Sequence, residues 1–501
     1  MTSLWEFHGG VRLEEHKTIT SEKPIVPAKI PPLLTLPLLL PLLQPIGELA
    51  EPIVKVGDKV LKGQTIALCR RKCCRQLMSV PIHAPSSGTV IAIEPRAIPH
   101  PSGLMISCIV IETDGQDTWT TRIPLTDYAT LPPRVVRDHI AQAGIVGLGG
   151  AGFPTHIKLE SEGIDTLIIN GAECTSYITC DDRLMREHPH DIIAGIQIIR
   201  YILGGVKRCI IAVEDNKPAA YKSLIEAAVG ESVEIVQVPT IYPTGEERRL
   251  IYILTGKEIG RTNVPAHIGI VVHNVETTKA VYQAVQHGQP LLSRTITVTG
   301  DGLENPQNLE VLFGTPMHIL IDQCQRKSKI KKLVMGGPMT GFTLPNDEMP
   351  VIKTTNCLIV FTADIVETPV MPCIRCGACA NVCPVNLLPQ QLYWHIKAND
   401  LEKTQEYHIF ECIRCGCCAY VCPSNIPLVC YFSYAMAEIR AIERKRKKAE
   451  IAKQRHEFRA FRIERNKQAN QSQQKMVQDK SAAIKAAIER VKAKKEKVIQ
   501  S

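Results

Sequence analysis

The chain has 501 residues, of which 45% are apolar and 5% aromatic, a length too great for one hydrophobic core and enough for about three to five domains. Its net charge of +9 is unevenly spread: residues 438–501 hold 20 Lys and Arg against 8 Asp and Glu (+12), leaving 39 against 42 (−3) for residues 1–437. A near-neutral body with few aromatic residues excludes a nucleic-acid enzyme with a basic cleft and an RNA-stacking platform, so no nucleic-acid partner is expected.

Nineteen cysteines follow a start, MTSLWEFHGG, with neither a basic n-region nor an apolar h-region. That combination predicts reduced thiols in the cytosol rather than a secreted disulfide scaffold. Residues 1–46 read as an N-terminal extended segment. Between Lys29 and Glu48 lie 18 uncharged residues, close to a membrane-spanning length. Pro31, Pro32, Pro37, Pro41 and Pro45 break any helix there, so an extended, packed segment is predicted.

Residues 47–125 alternate short apolar runs with turn signals, as in PIVKVGDKVLKGQTIAL and PIHAPSSGTVIAIEP, which predicts a small all-β domain. It resembles the barrel-sandwich fold of lipoyl and biotinyl carriers, but no lysine occupies the carrier position, so a swinging arm is not expected. Residues 130–290 alternate helical patterns with the strand-like runs DTLIIN, RCIIAVED, VEIVQVP and IGIVVHN, the pattern of a Rossmann-like α/β domain with a largely parallel sheet. Residues 292–365 look like a β-grasp module of the soluble-ligand-binding (SLBB) type. Residues 366–432 form an internal repeat that carries the cysteines.

From residue 433 to 501 Ala, Glu, Lys and Arg dominate, so a charged helical tail is predicted, interrupted at the polar stretch NKQANQSQQK. Within it Glu443, Glu450, Glu457 and Glu464 recur every seven residues among basic ones, and Ile484, Ala487, Ile488 and Val491 share a face. Either docking to anionic lipid or to an acidic partner, or a solvated charged helix, accounts for this pattern.

CIRCGACANVCP at Cys373–Pro384 and CIRCGCCAYVCP at Cys412–Pro423 match almost letter for letter, at an offset of 412 − 373 = 39. Each contains C-x2-C-x2-C-x3-C-P, the run of bacterial two-cluster ferredoxins, in which three close cysteines hold one [4Fe-4S] cube and the fourth crosses to the other. The predicted ligands are Cys373, Cys376, Cys379 and Cys422 for one cluster, and Cys412, Cys415, Cys418 and Cys383 for the other. Zinc, the competing reading, uses two C-x2-C pairs separated by a longer loop. Cys417 aligns with Ala378 and is an extra cysteine within the repeat. Ten others, including Cys69, Cys73, Cys74, Cys174 and Cys180, read as buried thiols.

GLGGAGFPTHIK, residues 147–158, satisfies G-x-G-x-x-G at Gly147, Gly149 and Gly152, a pattern that a plain tight turn also satisfies. Its context is more specific. The loop is followed by NGAE at Asn170–Glu173, TGEE at Thr244–Glu247 and HNVET at His273–Thr277. In that order the strings resemble the flavin-binding, NADH-oxidising subunit of respiratory complex I. The resemblance implies FMN held by Gly147, Gly149, Gly150, Lys158, Asn170, Glu173, Gly245, Glu246, Glu247 and Asn274, with small residues admitting backbone amides to a phosphate.

With the β-domain before and the twin clusters after, the architecture from about Trp5 to Tyr434 resembles the C subunit of Rnf-type ion-translocating electron transport complexes. ITCDDRLM, EDNKPAA, MGGPMTGF and CPSNIPLV strengthen the likeness. Thr175–Ser176 after Cys174, Ala172, and Glu246 in place of a second glycine depart from the family text. The resemblance implies an ion-translocating oxidoreductase subunit, peripheral on the cytoplasmic side of a bacterial inner membrane, with membrane contact through partners. NADH would be the substrate, and single electrons would cross two [4Fe-4S] clusters to integral and peripheral subunits, a ferredoxin-like one among them. A flavin-free iron–sulfur wire and an assembly scaffold are the alternative functions.

Overall fold

The computed structural model describes residues 4–499 apart from 7, 39–49, 69–78, 104, 261–262, 328 and 363–367. The Leu/Pro run is therefore described only as far as Leu38, and Cys69, Cys73 and Cys74 lie outside the described residues.

The first β-domain is two facing antiparallel sheets. Leu33–Pro37, Met105–Thr113, Gly88–Ala97 and Lys59–Val60 form one; Glu51–Pro52, Thr65–Leu68 and Ile82–His83 form the other. Leu34, Leu36, Val60, Ile66, Val90 and Ile109 fill the space between them. This is a barrel-sandwich hybrid. Part of the N-terminal run is thus a regular strand rather than a mere extended segment: Leu34 and Leu36 supply the apolar alternation, and both flanking prolines sit at its ends, where a missing N–H costs least.

In the α/β domain four strands are all parallel, in the order Glu234–Val238, Arg208–Glu214, Thr166–Gly171, Ile270–Asn274. Helices Pro133–Gln142, Pro189–Ile202 and Val275–His287 cover one face, and Glu247–Thr255 packs on the other. Because both faces are covered, the strands read as unbroken apolar runs. Strand order reverses between Thr166–Gly171 and Ile270–Asn274, and that reversal opens a crevice at the carboxyl ends of the two strands.

The β-grasp module pairs Ser293–Thr299 antiparallel with Gln307–Leu312 and parallel with Cys357–Phe361, with helix Met317–Gln323 packed on the sheet. Lys332–Met335 and Phe342–Thr343 extend one edge, and Val26–Pro27 from the N-terminal segment pairs with the other.

The cysteine repeat is visible in the backbone itself. Arg375, Gly377 and Asn386 have φ of +60°, +79° and +52°, and their counterparts 39 residues on, Arg414, Gly416 and Asn425, have +57°, +88° and +51°. Leu392, Ile396, Ile409, Phe432, Met436 and Ile439 build the core beneath it. The last three belong to a helix that runs from Leu428 to Ile499 without a break. The predicted interruption at residues 466–475 is absent. Asn, Gln and Ser there weaken a helix by only a few tenths of a kcal/mol each, and no Gly or Pro occurs within it.

Candidate functional site

The crevice at the strand-order reversal is a cleft of about 220 Å³, lined by residues from three modules. Asn170 and Asn274, at the ends of the two strands that flank the reversal, form its sides. The Asn170 amide donates to the Gly245 carbonyl at 2.9 Å and accepts from the Ala172 amide. Asn274 caps helix Val275–His287 through its side-chain oxygen and donates to Asp181 at 2.7 Å. Glu246 caps helix Glu247–Thr255, accepting from the Arg248 and Arg249 amides at 3.1 Å. Two helix N-termini, each capped by a side chain of the cleft wall, thus meet at one crevice.

Of the ten residues that the sequence nominates for a flavin, six line this cleft: Gly149, Asn170, Glu173, Gly245, Glu246 and Asn274. Lys158 and Glu247 do not; they form an ion pair at 2.6 Å, and Lys158 also donates to the Val272 carbonyl. Gly147 closes the glycine loop, its amide donating to Phe153 and its carbonyl accepting from Gly152. Gly150 stands at φ +105° with nothing within 4 Å of a Cβ placed on it. The loop therefore presents bare backbone on its outer side.

Glu173 is not an open acceptor. It is buried, accepts from the Asp181 amide at 2.9 Å and the Cys180 thiol at 3.4 Å, and lies 3.9 Å from the Lys217 ammonium. Lys17 donates to the Glu173 carbonyl, and Lys217 pairs with Glu214 at 3.1 Å. Burial raises the pKa of Glu173 against the pull of the two lysines, and raises that of Asp181 further, with Glu173 and Glu276 adding repulsion. Burial also pushes the Cys174 thiol up to about 12. The cleft floor is thus a buried acid–lysine network beneath protonated thiols. Lys17, Asp181, Glu214 and Lys217 were not nominated from the sequence. ITCDDRLM and EDNKPAA carry three of these four residues, but nothing in either string marks its charges as buried.

The remaining wall belongs to the cysteine module. Ile413 and Cys415 line the cleft, and the Tyr242 hydroxyl donates to the Cys415 carbonyl at 2.6 Å. Cys415 also belongs to a small pocket shared with Cys383, Cys412, Cys417 and Cys418. A second pocket gathers Cys373, Cys376, Cys379 and Cys422. The second pocket draws three cysteines from the first repeat and one from the other, the first draws four from the second repeat, Cys417 among them, and one from the other, and no described disulfide consumes them. Cys417 is fully buried, and its thiol is directed at the Tyr242 carbonyl, 3.9 Å away.

Residues 140–283 match the family model described as the Nuo51 FMN-binding domain, residues 5–116 that of the RnfC barrel sandwich hybrid domain, and residues 372–426 that of a 4Fe-4S dicluster domain. The cleft fits the flavin on geometry of its own: it lies at the strand-order reversal, its glycine loop is bare, and two helix N-termini meet at it. The protein named as the C subunit of the ion-translocating oxidoreductase complex in Vibrio cholerae is 46% identical over 508 residues, covering 98% of this chain and 64% of that protein's length. The protein of the same name in Pectobacterium atrosepticum is 44% identical over 505 residues, covering 98% of this chain and 71% of its own. Among solved structures, an NAD+-reducing [NiFe]-hydrogenase in the H2-reduced state aligns over 64% of this chain and 63% of that one, with 21% identity and a TM-score of 0.44.

Proposed function

This chain belongs to the family of C subunits of ion-translocating oxidoreductase complexes, and from that premise we propose that it oxidises NADH at an FMN in the cleft and passes single electrons through two [4Fe-4S] clusters to partner subunits and a ferredoxin-like carrier. The observation that carries the reading is Cys415, which lies in the wall of the cleft and in the pocket of one cysteine set at once. FMN supplies the exchange between hydride chemistry and one-electron transfer, which clusters alone cannot perform.

The residues have separable duties. Gly149 and the positive dipole ends of helices 247–255 and 275–287 favour the anionic end of the cofactor. Asn170 and Asn274 are held by backbone bonds and orient rather than react. Tyr242 fixes the backbone of Cys415 against the cleft. Cys412, Cys415, Cys418 and Cys383 hold the cluster next to the cleft. Cys373, Cys376, Cys379 and Cys422 hold the outer one, where Cys376 is exposed and serves as the electron exit. NADH as donor rests on the resemblance of the cleft strings to the NADH-oxidising subunit of complex I. No helix among the described residues is long and apolar enough to cross a membrane; the reading places the chain peripherally on the cytoplasmic side of a bacterial inner membrane, held by its partners.

Anaerobic purification with iron and flavin analysis, followed by NADH titration under visible and EPR detection, tests this function. Eight irons, one FMN and NADH-dependent cluster signals are expected. Iron without flavin, or clusters that dithionite reduces and NADH does not, would overturn it.

A further inference from the structure

The C-terminal helix carries more charge than anchoring itself requires, and while its basic side chains are spread all round, its acidic ones leave one arc free. Every described side chain from Ile442 to Ala493 is exposed. At about 100° of rotation per residue, Arg444, Lys447, Lys448, Arg455, Arg459, Arg462, Arg465 and Lys480 fall within an arc of roughly 120°. The same arc contains Ile451, Phe458, Met476, Val477, Ile484 and Val491, all exposed. Glu443, Glu450, Glu457, Glu464, Asp479 and Glu489 project on the opposite side, where Lys453 and Glu457 pair at 4.0 Å. Phe432, Ala435, Met436 and Ile439, which pack the same helix onto the cysteine module, also project on that acidic side. The basic arc therefore faces away from the body of the protein.

We propose that this arc, from Arg444 to Val491, is a docking surface for an anionic lipid bilayer. Over its length of about 70 Å, arginines and lysines meet lipid phosphates, at about 1 kcal/mol each near the surface. The apolar side chains between them sink into the boundary of headgroups and acyl chains, so the helix lies in the interface without crossing it. A second copy of the helix does not fit, because Arg444, Arg462 and Lys480 occupy the middle of the arc and would face their own kind. A nucleic acid would satisfy the cations but offer nothing to Phe458 or Ile484. This docking does not depend on the redox reading above.

The test uses the full-length protein and co-sedimentation with vesicles of phosphatidylglycerol and phosphatidylcholine in equal parts, against phosphatidylcholine alone. Binding to the anionic vesicles alone, weakening with added salt, is expected. The pair R455E/R462E on the arc should lower binding about ten-fold or more, whereas K453E/K475E, with the same charge change on the far side, should lower it only slightly. Far-UV circular dichroism and iron content check each variant, and R455Q/R462Q replaces the first pair should its helix melt. F458S should lose the part of the binding that survives salt. Equal losses from both pairs, indifference to lipid charge, tighter retention on duplex DNA than on vesicles at the same salt, or a dimer that the arc pair dissolves would each overturn the proposal.

Discussion

At the scale of single residues, Cys417 and Cys383 test the proposed division between a packing thiol and a cluster ligand. Cys417 is buried against the Tyr242 carbonyl in a cluster of Val11, Tyr242 and Cys417, so Cys417→Ala, which restores what the first repeat has at Ala378, should keep both clusters by iron count and EPR. Cys383→Ala should empty or degrade the distant cluster at Cys412, Cys415 and Cys418 while sparing the one at Cys373; the reverse pattern would refute the assignment. Gly149→Ala offers a cleaner probe of the flavin than a bulkier change. A Cβ there meets Asn274 Cβ at 3.4 Å, an ordinary contact, and φ is not left-handed, so the fold and the irons should persist while flavin content falls. His273 is a third case. It is buried with Nε2 unpartnered, and burial drops its pKa from about 6.5 to about 3. The folded imidazole therefore stays neutral where the unfolded one takes a proton, and stability present above pH 6.5 is lost as pH falls towards 3. His273→Leu should flatten the decline in melting temperature between pH 7 and pH 5; an unchanged slope would show that other groups set it. The grouping of the cysteines into two pockets was legible at this scale, because their spacing is local: the twin C-x2-C-x2-C-x3-C-P runs carry their own geometry. The acid–lysine network was not. Lys17, Glu173 and Lys217 are brought together from positions up to 200 residues apart (217 − 17), and no local pattern marks a buried charge.

Among the elements, the strands announced themselves and their edges did not. DTLIIN, RCIIAVED and IGIVVHN are apolar enough to require cover on both faces, which fixed a parallel sheet. The order that opens the cleft depends on a crossover that composition does not encode. Val26–Pro27 and Leu33–Pro37 were hidden for another reason: strands of two to five residues next to prolines give too few alternations to count. The helix Leu428–Ile499 shows why a boundary drawn from composition misleads. Its first three turns are core and the rest is solvent-exposed, with no capping signal between. Truncation should reveal that seam. Removing residues 446–501 should leave iron content and thermal stability unchanged. Removal from residue 436 onward also takes away Met436 and Ile439, 4% and 2% exposed, and should cost about 4 kcal/mol or more, read as a lower melting temperature and faster loss of iron.

In the molecule as a whole, one segment touches nearly everything. The Trp5 amide donates to Ile253 in the α/β domain, Gly10 to Val382 beside Cys383, and Val11 exchanges backbone bonds with Tyr242. Val26–Pro27 then joins the β-grasp sheet and Leu33–Pro37 the barrel. Deleting residues 1–12 should leave each cofactor in place yet slow NADH-dependent cluster reduction, since the strap holds the cysteine module against the cleft; a rate equal to that of the intact chain would argue that Tyr242, and Arg249 through its bond to the Pro384 carbonyl at 2.9 Å, hold it unaided. The same strap bears on how the protein is made. A ribosome delivers Gly10 some 370 residues before its partner Val382 (382 − 10 = 372), an interval of roughly twenty to seventy seconds at ordinary synthesis rates. Leu33–Pro37 gains its neighbour once residue 113 is made and Val26–Pro27 once residue 312 is, but Gly10 waits for the first cysteine run. The contact at Gly10 is therefore the last part of the strap to form, and it forms only once the first cysteine run has emerged.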